Sequence, residues 1–245
     1  MKITRKQFIL AALALATSAP AQVANHTPDE WRTPYAALLT KYTQSNGVRY
    51  AAWKATKEDI EAISAVTKAI GETTIPADKT ASLAFYLDAY NAWMLQLMLE
   101  AYPTKGPLST DPDFFKRERI RVAGKKMSLD YLENQIIRTQ YSEPRIHFAL
   151  NCASRSCPPL RSTPYSAGNL EASLTEQTTA YLNDPAAVSE QDSKLVLSQI
   201  FEWFGGDFVK KSGSIPAFIN GFRKEPLKAT KIVFRPYDWS LNEVK

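Results

Sequence analysis

Arg145-Ile-His-Phe-Ala-Leu-Asn-Cys-Ala-Ser-Arg-Ser-Cys-Pro-Pro-Leu160 holds both cysteines of the chain and one of its two histidines. Glu143-Pro144 predicts an extended or turn entry, because proline disfavours the α region for the residue before it. An apolar run with β-branched and aromatic members follows, then a small, polar stretch closed by Pro158-Pro159. This pattern predicts a buried strand over residues 146–152 that opens into a loop. In a regular strand His147, Ala149 and Asn151 share one face, and Phe148, Leu150 and Cys152 share the other. Cys157 then lies on the loop, a position that suits either a reactive thiol or half of a disulfide.

On the N-terminal side of this stretch the chain reads as helices. Thr27-Pro28-Asp29-Glu30 predicts a helix start leading into residues 31–42. Asn46-Gly47 marks a turn, with a short extended piece at Val48-Arg49-Tyr50. Ile60, Ile63, Val66 and Ile70 stripe one face of a helix that ends at Gly71. Residues 79–102 are apolar around nearly the whole circumference, which predicts a buried central helix. Its exceptions, Asp88 and Asn91, share one face and need hydrogen-bond partners if they are buried. Residues 120–127 read as a small hairpin, and Ser128 as the cap of a helix carrying Glu133.

Beyond the cysteines, residues 170–182 predict an amphipathic helix, and residues 195–197 a short strand. A helix follows at residues 200–204, stopped by Gly205-Gly206 and followed by Asp207 and Phe208. Residues 232–234 predict a final strand, and residues 237–242 an aromatic segment that packs on the core. The tally is α+β: a mainly α-helical single domain with a few short strands and a buried central helix.

Lys2, Arg5 and Lys6 precede an apolar run at residues 8–16, and Ala19-Pro20-Ala21 supplies small residues where a signal peptidase cuts. Residues 1–21 therefore read as a secretory signal peptide and residues 22–245 as one domain, expected in the periplasm or secreted. The apolar run falls well short of the ~20 residues of a spanning helix, so no permanent membrane anchor is expected. Without the leader the basic count falls from 30 to 27 against 25 acidic residues, which argues against nucleic acid as a partner. The local run from Lys116 to Lys126 reads as a solvated face. His26 is expected to be exposed and inert.

Together the motifs resemble the DUF547 family, a domain family of unknown function. The resembling segments are Phe85-Tyr-Leu-Asp-Ala-Tyr-Asn-Ala92, Ser128-Leu-Asp-Tyr-Leu-Glu133, residues 144–160, Leu197-Ser-Gln-Ile-Phe-Glu-Trp-Phe204 with Asp207-Phe208, and Tyr237-Asp-Trp-Ser-Leu-Asn242. His147, Cys152 and Cys157 fall on matching family positions. Two departures stand out: many members have asparagine where this chain has Asp88, and histidine where it has Asn134. The resemblance implies a fold more than an activity.

Two functions follow from these residues. The first is a non-catalytic binding or scaffold module for a small molecule, peptide or protein, with a Cys152–Cys157 disulfide as expected after export. The alternative is a cysteine-dependent hydrolase or acyl transferase, in which Cys157, or Cys152, attacks a carbonyl and His147 handles the proton. An ordinary thiol titrates near ~8.5, so such a nucleophile needs a histidine or a positive dipole beside it. Asn151, Glu133 and Asp207 are the candidate residues to orient the imidazole. No cofactor and no metal are expected: the C-x-x-C spacing of redox motifs is absent, and His147, Cys152 and Cys157 match no structural zinc pattern. The sequence sets no oligomeric state.

Overall fold

The computed structural model describes residues 30–245; the proposed leader and His26 lie outside the described residues. Helix α1 (Arg32–Tyr42) leads through a two-residue hairpin, β1 (Thr43–Gln44) and β2 (Gly47–Val48), into α2 (Tyr50–Lys54) and α3 (Lys57–Glu72). Helix α4 (Lys79–Ala101) begins where the Asp78 carboxylate accepts from the Ala81 N–H. It is buried on all sides, as its composition predicts. Tyr42 stacks on Trp53 at 4.5 Å within this helical core.

Short elements then deliver the polar residues. Helix α5 (Pro107–Thr110) precedes the hairpin of β3 (Ile120–Val122) and β4 (Lys125–Met127). Ser128 caps α6 (Leu129–Tyr131) by accepting from the Tyr131 N–H at 3.0 Å. The helix predicted to continue from there instead widens into a π-helical segment (Leu132–Ile137) and closes as α7 (Arg138–Tyr141). Such insertions occur often at functional sites, and this one carries Glu133.

The predicted strand at residues 146–152 is not formed. Pro144–Phe148 is a 3₁₀ turn, with the Glu143 carboxylate accepting from the Arg145 N–H, and the chain runs on as an irregular segment. Proline at the start of the turn removes a donor that would have no partner there, and its fixed φ suits the geometry. The apolar residues are divided between two clusters rather than two sheet faces. Ile146, Ala149 and Leu150 join the helical core, whereas Phe148 packs in a second core with Phe201, Phe208 and Phe218. The alternation inferred for His147 and Cys152 is therefore overturned.

The second core is built from α8 (Leu170–Asn183), β5 (Val188–Gln191), β6 (Lys194–Ser198), α9 (Ile200–Trp203), α10 (Gly205–Ser212), α11 (Ile215–Asn220) and β7 (Lys231–Arg235). Its sheet has the order β5-β6-β7, with β5 antiparallel and β7 parallel to β6. Gly205-Gly206 does not end the helical region: the pair opens α10 and puts Asp207 in its first turn. The architecture is the expected mainly helical α+β fold. No helix among the described residues is long and apolar enough to cross a membrane.

The segment after β7 ties the two cores together. Arg155 N–H donates to Ser240 O, Asn242 N–H to Ala153 O and Leu241 N–H to Lys105 O, all within 3.0 Å. Gly106 is where this segment comes closest: at φ +148°, a Cβ there would lie 2.2 Å from Trp239 O. Only glycine admits that approach.

Candidate active site

The irregular segment after the 3₁₀ turn is held by buried amides. Asn91, on α4, donates to Ala149 O at 3.0 Å and accepts from the Asn151 N–H at 2.9 Å. Asn151 in turn donates to Pro158 O at 2.8 Å and accepts from the Ala153 N–H at 3.0 Å. Both ends of the cysteine loop are thereby fixed, and Asn151, a candidate orienter of the imidazole, holds the loop instead. Asp88, one turn before Asn91, accepts from the Tyr165 N–H at 3.0 Å and has Arg32 at 3.9 Å. Burial raises its carboxyl to about 8 against those two partners.

The expected disulfide is absent: Cys152 and Cys157 are free thiols. Their sulfurs are directed to other partners. Cys157 Sγ accepts from the Cys152 backbone N–H at 2.8 Å, with Leu150 O 3.7 Å away. Cys152 Sγ lies 2.9 Å from Ser154 Oγ and 3.2 Å from Tyr237 Oη. Burial disfavours the Cys152 thiolate, but hydrogen bonds from the Cys157 thiol, the Ser154 hydroxyl and the Tyr237 hydroxyl outweigh it and bring the thiol down to about 7. Burial and the adjacent Cys152 charge push Cys157 well above the ordinary thiol range. The pair is thus unequal, with Cys152 the more acidic thiol of the two.

His147 is buried and packed between Phe204, stacked at 4.1 Å, and the edge of Phe208. Its Nε2 lies 2.8 Å from Asp207 Oδ2. Hydrogen bonds from His147 and then from Arg138 hold the Asp207 carboxyl well below the usual carboxylate range. Arg138 grips the same carboxylate through Nε at 2.8 Å and a second guanidinium nitrogen at 3.0 Å. Burial lowers the pKa of the imidazole, with Asp207 acting in the other direction. A neutral ring beside a carboxylate must carry its proton on Nε2, which leaves Nδ1 with a lone pair. That nitrogen has no hydrogen-bond partner and lies 4.0 Å from Glu133 Oε1.

Glu133 is therefore the group next to the free ring nitrogen. Burial first, and then the charge on Cys152, raise its carboxyl to about 7, and the Tyr90 hydroxyl bonds to it. Asn134, where the resembling family often has histidine, accepts from Arg138 and donates to Asp130. Glu133, His147, Cys152 and Cys157 all line one cavity of about 340 Å³, with Tyr90 and Tyr237. Asp207 stands behind His147, outside the cavity lining. The sequence does not single out Ser154, and it marks Tyr237 only as part of an aromatic segment, because the sulfur that Tyr237 faces lies 85 residues away. Among the described residues no cluster of three or more His, Cys, Asp or Glu side chains is arranged to hold a metal.

Residues 76–182 match a family model described as "Protein of unknown function, DUF547". No curated protein and no solved structure matches the chain. The matched residues include Glu133, His147 and both cysteines, whereas Asp207 and Tyr237 lie beyond them.

Proposed function

We propose that this chain, whose residues 76–182 belong to the DUF547 family, is a thiol-dependent acyl hydrolase or acyl transferase with Cys152 as its nucleophile. One observation carries the reading: the Cys152 sulfur is met by Ser154 Oγ at 2.9 Å and Tyr237 Oη at 3.2 Å, in the wall of a cavity. Hydrogen bonds to the charged form favour it, so these donors supply what a neighbouring imidazolium provides in other thiol enzymes.

The chemistry then assigns the remaining groups. The Cys152 thiolate attacks the substrate carbonyl, an S–C bond forms, and the bond from that carbon to the leaving oxygen, nitrogen or sulfur breaks. Glu133, with its carboxyl at about 7, is poised at neutral pH to give a proton to the departing group. In the second half-reaction water, or an acceptor hydroxyl or amine, adds to the thioester. Its proton passes to Glu133 and the Cys152 thiolate leaves. His147 is a positioning residue in this scheme: its Nδ1 is buried beside Glu133, and Asp207 fixes its tautomer. From the leader-like start, we also infer that the reaction takes place outside the cytoplasm.

The test is the reaction of the protein with p-nitrophenyl butyrate. A burst of nitrophenolate equal to the enzyme concentration is expected, with the butyryl group mapped to Cys152 by peptide mass. Cys157→Ser retains the burst and Cys152→Ser loses it. An acyl group on Cys157 with Cys152 untouched, or no burst, removes the assignment.

A further inference from the structure

Two cavities meet at Cys157, and Cys152 lines the smaller of them. On one side is the cavity of about 340 Å³, walled by Leu108, Phe115, Leu150, Ile200, Trp203 and Trp239. On the other is a wider one of about 560 Å³, lined by polar and charged groups that include Arg155, Asp184, Arg235 and Asp238. Cys157 and Tyr237 belong to both linings.

The first cavity has an aromatic mouth. Trp203 and Trp239 stack at 5.7 Å, and Tyr237 packs against both at 4.8 and 4.7 Å. Trp203 remains 43% exposed, which is unusual for the largest apolar side chain in a folded chain. Two of the polar groups in the lining are already engaged: Asn134 with Asp130 and Arg138, and Glu133 with Tyr90. The lining also holds Lys116, Asp130 and the unpartnered Nδ1 of His147, but a hydrocarbon would cover the aromatic and aliphatic walls and lose only water. The volume is at the small end of the ~300–1,000 Å³ range of ligand pockets, which suits one acyl group rather than a whole substrate.

We propose that the aromatic-walled cavity binds the apolar acyl group of the substrate, a hydrocarbon ester, thioester or amide, and that the polar part of the substrate lies in the second cavity. This rests on Cys152 being the nucleophile, and the experiment separates the two ideas. Native protein is treated with methyl and octyl methanethiosulfonate, each of which forms a Cys–S–S–alkyl bond and releases methanesulfinate. Labelling of Cys152 is followed by peptide mass, and the octyl-to-methyl rate ratio is compared with that of the protein unfolded in urea.

A methyl reagent that labels Cys152 no faster in the native than in the unfolded protein overturns the nucleophile assignment. Fast methyl labelling with a native ratio equal to the unfolded one leaves the nucleophile standing and overturns the acyl cavity. The expected result is a native ratio at least about tenfold above the unfolded one, since each methylene taken from water multiplies binding by roughly three to four. Trp203→Ala and Phe115→Ala, read separately, each reduce that ratio, which is taken against the variant's own methyl rate. A ratio unchanged in both variants places the alkyl group elsewhere and also overturns the proposal.

Discussion

Asp207 Oδ2 lies 2.8 Å from His147 Nε2, and the two residues are 60 positions apart in the chain. Because Arg138 holds the carboxylate in place, the imidazole has one tautomer and one orientation, with Nδ1 directed to the side of Glu133. The pair lies beside Glu133 and makes no hydrogen bond to the Cys152 sulfur.

Asp207→Asn keeps the shape but offers an amide in place of a carboxylate, which permits the other tautomer. Nitrogen-15 chemical shifts of His147 are expected to move from the Nε2-protonated pattern. Ester turnover is expected to fall by about 10² or more, the direction seen whenever the orienting carboxylate of a histidine is neutralised. The rate of Cys152 alkylation stays near that of the parent, because the donors to that sulfur lie elsewhere. A variant that retains full turnover with an unaltered nitrogen spectrum contradicts this role.

Cys152 alkylation followed against pH is expected to rise through a midpoint at about 7 and then level off. The thiolate is favoured by three donors, so removing one raises the midpoint. Cys157→Ala is expected to move it up by about one unit, and Tyr237→Phe by less, since the remaining donors stay. A midpoint in the ordinary thiol range, near ~8.5, in the unmodified protein would show that the donors do not act on the sulfur.

Asp88 makes stability depend on pH in a direction opposite to most carboxylates. Its folded pKa, about 8, lies above the ordinary value of 3.8, so the native state holds a proton that the unfolded chain gives up. The associated stability is fully present below about pH 4 and is lost as pH rises through about 8. Asp88→Asn removes that loss: its melting temperature is expected to match the parent at about pH 4 and to exceed it by at least about 3 °C at pH 8. Equal melting temperatures at both values would mean that the native carboxyl is ionised.

Gly106→Ala puts a methyl group into the Trp239 carbonyl and forces φ +148° on a residue with a side chain. Backbone on backbone cannot yield as a flexible side chain does. Urea denaturation is expected to show a loss of about 1–3 kcal/mol, together with a changed tryptophan emission as Trp239 shifts. An unperturbed emission spectrum would place the adjustment in the helix at residues 107–110 instead.

Much of the fold was legible in local pattern. The apolar circumference predicted for residues 79–102, the cap at Ser128 and the final strand near Ile232 all follow from periodicity and turn chemistry, whereas the parallel pairing of that strand does not. The 3₁₀ turn was missed because a run divided between two cores has the same composition as a strand between two faces. Gly205-Gly206 has the composition of a stop, yet glycine also tolerates the first turn of a helix, where intrahelical donors are still unpaired. His147, Glu133 and the cysteines were visible as residue types. Their roles came from long-range partners: Asp207 for the imidazole, and Tyr237 for the sulfur.

The hydroxyl that Tyr237 offers to Cys152 comes from the segment that also pairs Ser240 with Arg155 and Asn242 with Ala153. During vectorial synthesis, the cysteines leave the ribosome well before this segment does. Until it docks, Cys152 lacks one of its three donors and its loop lacks two backbone hydrogen bonds. The nascent chain thus carries a thiol of closer to ordinary reactivity, and the full donor set of Cys152 is among the last features that folding completes.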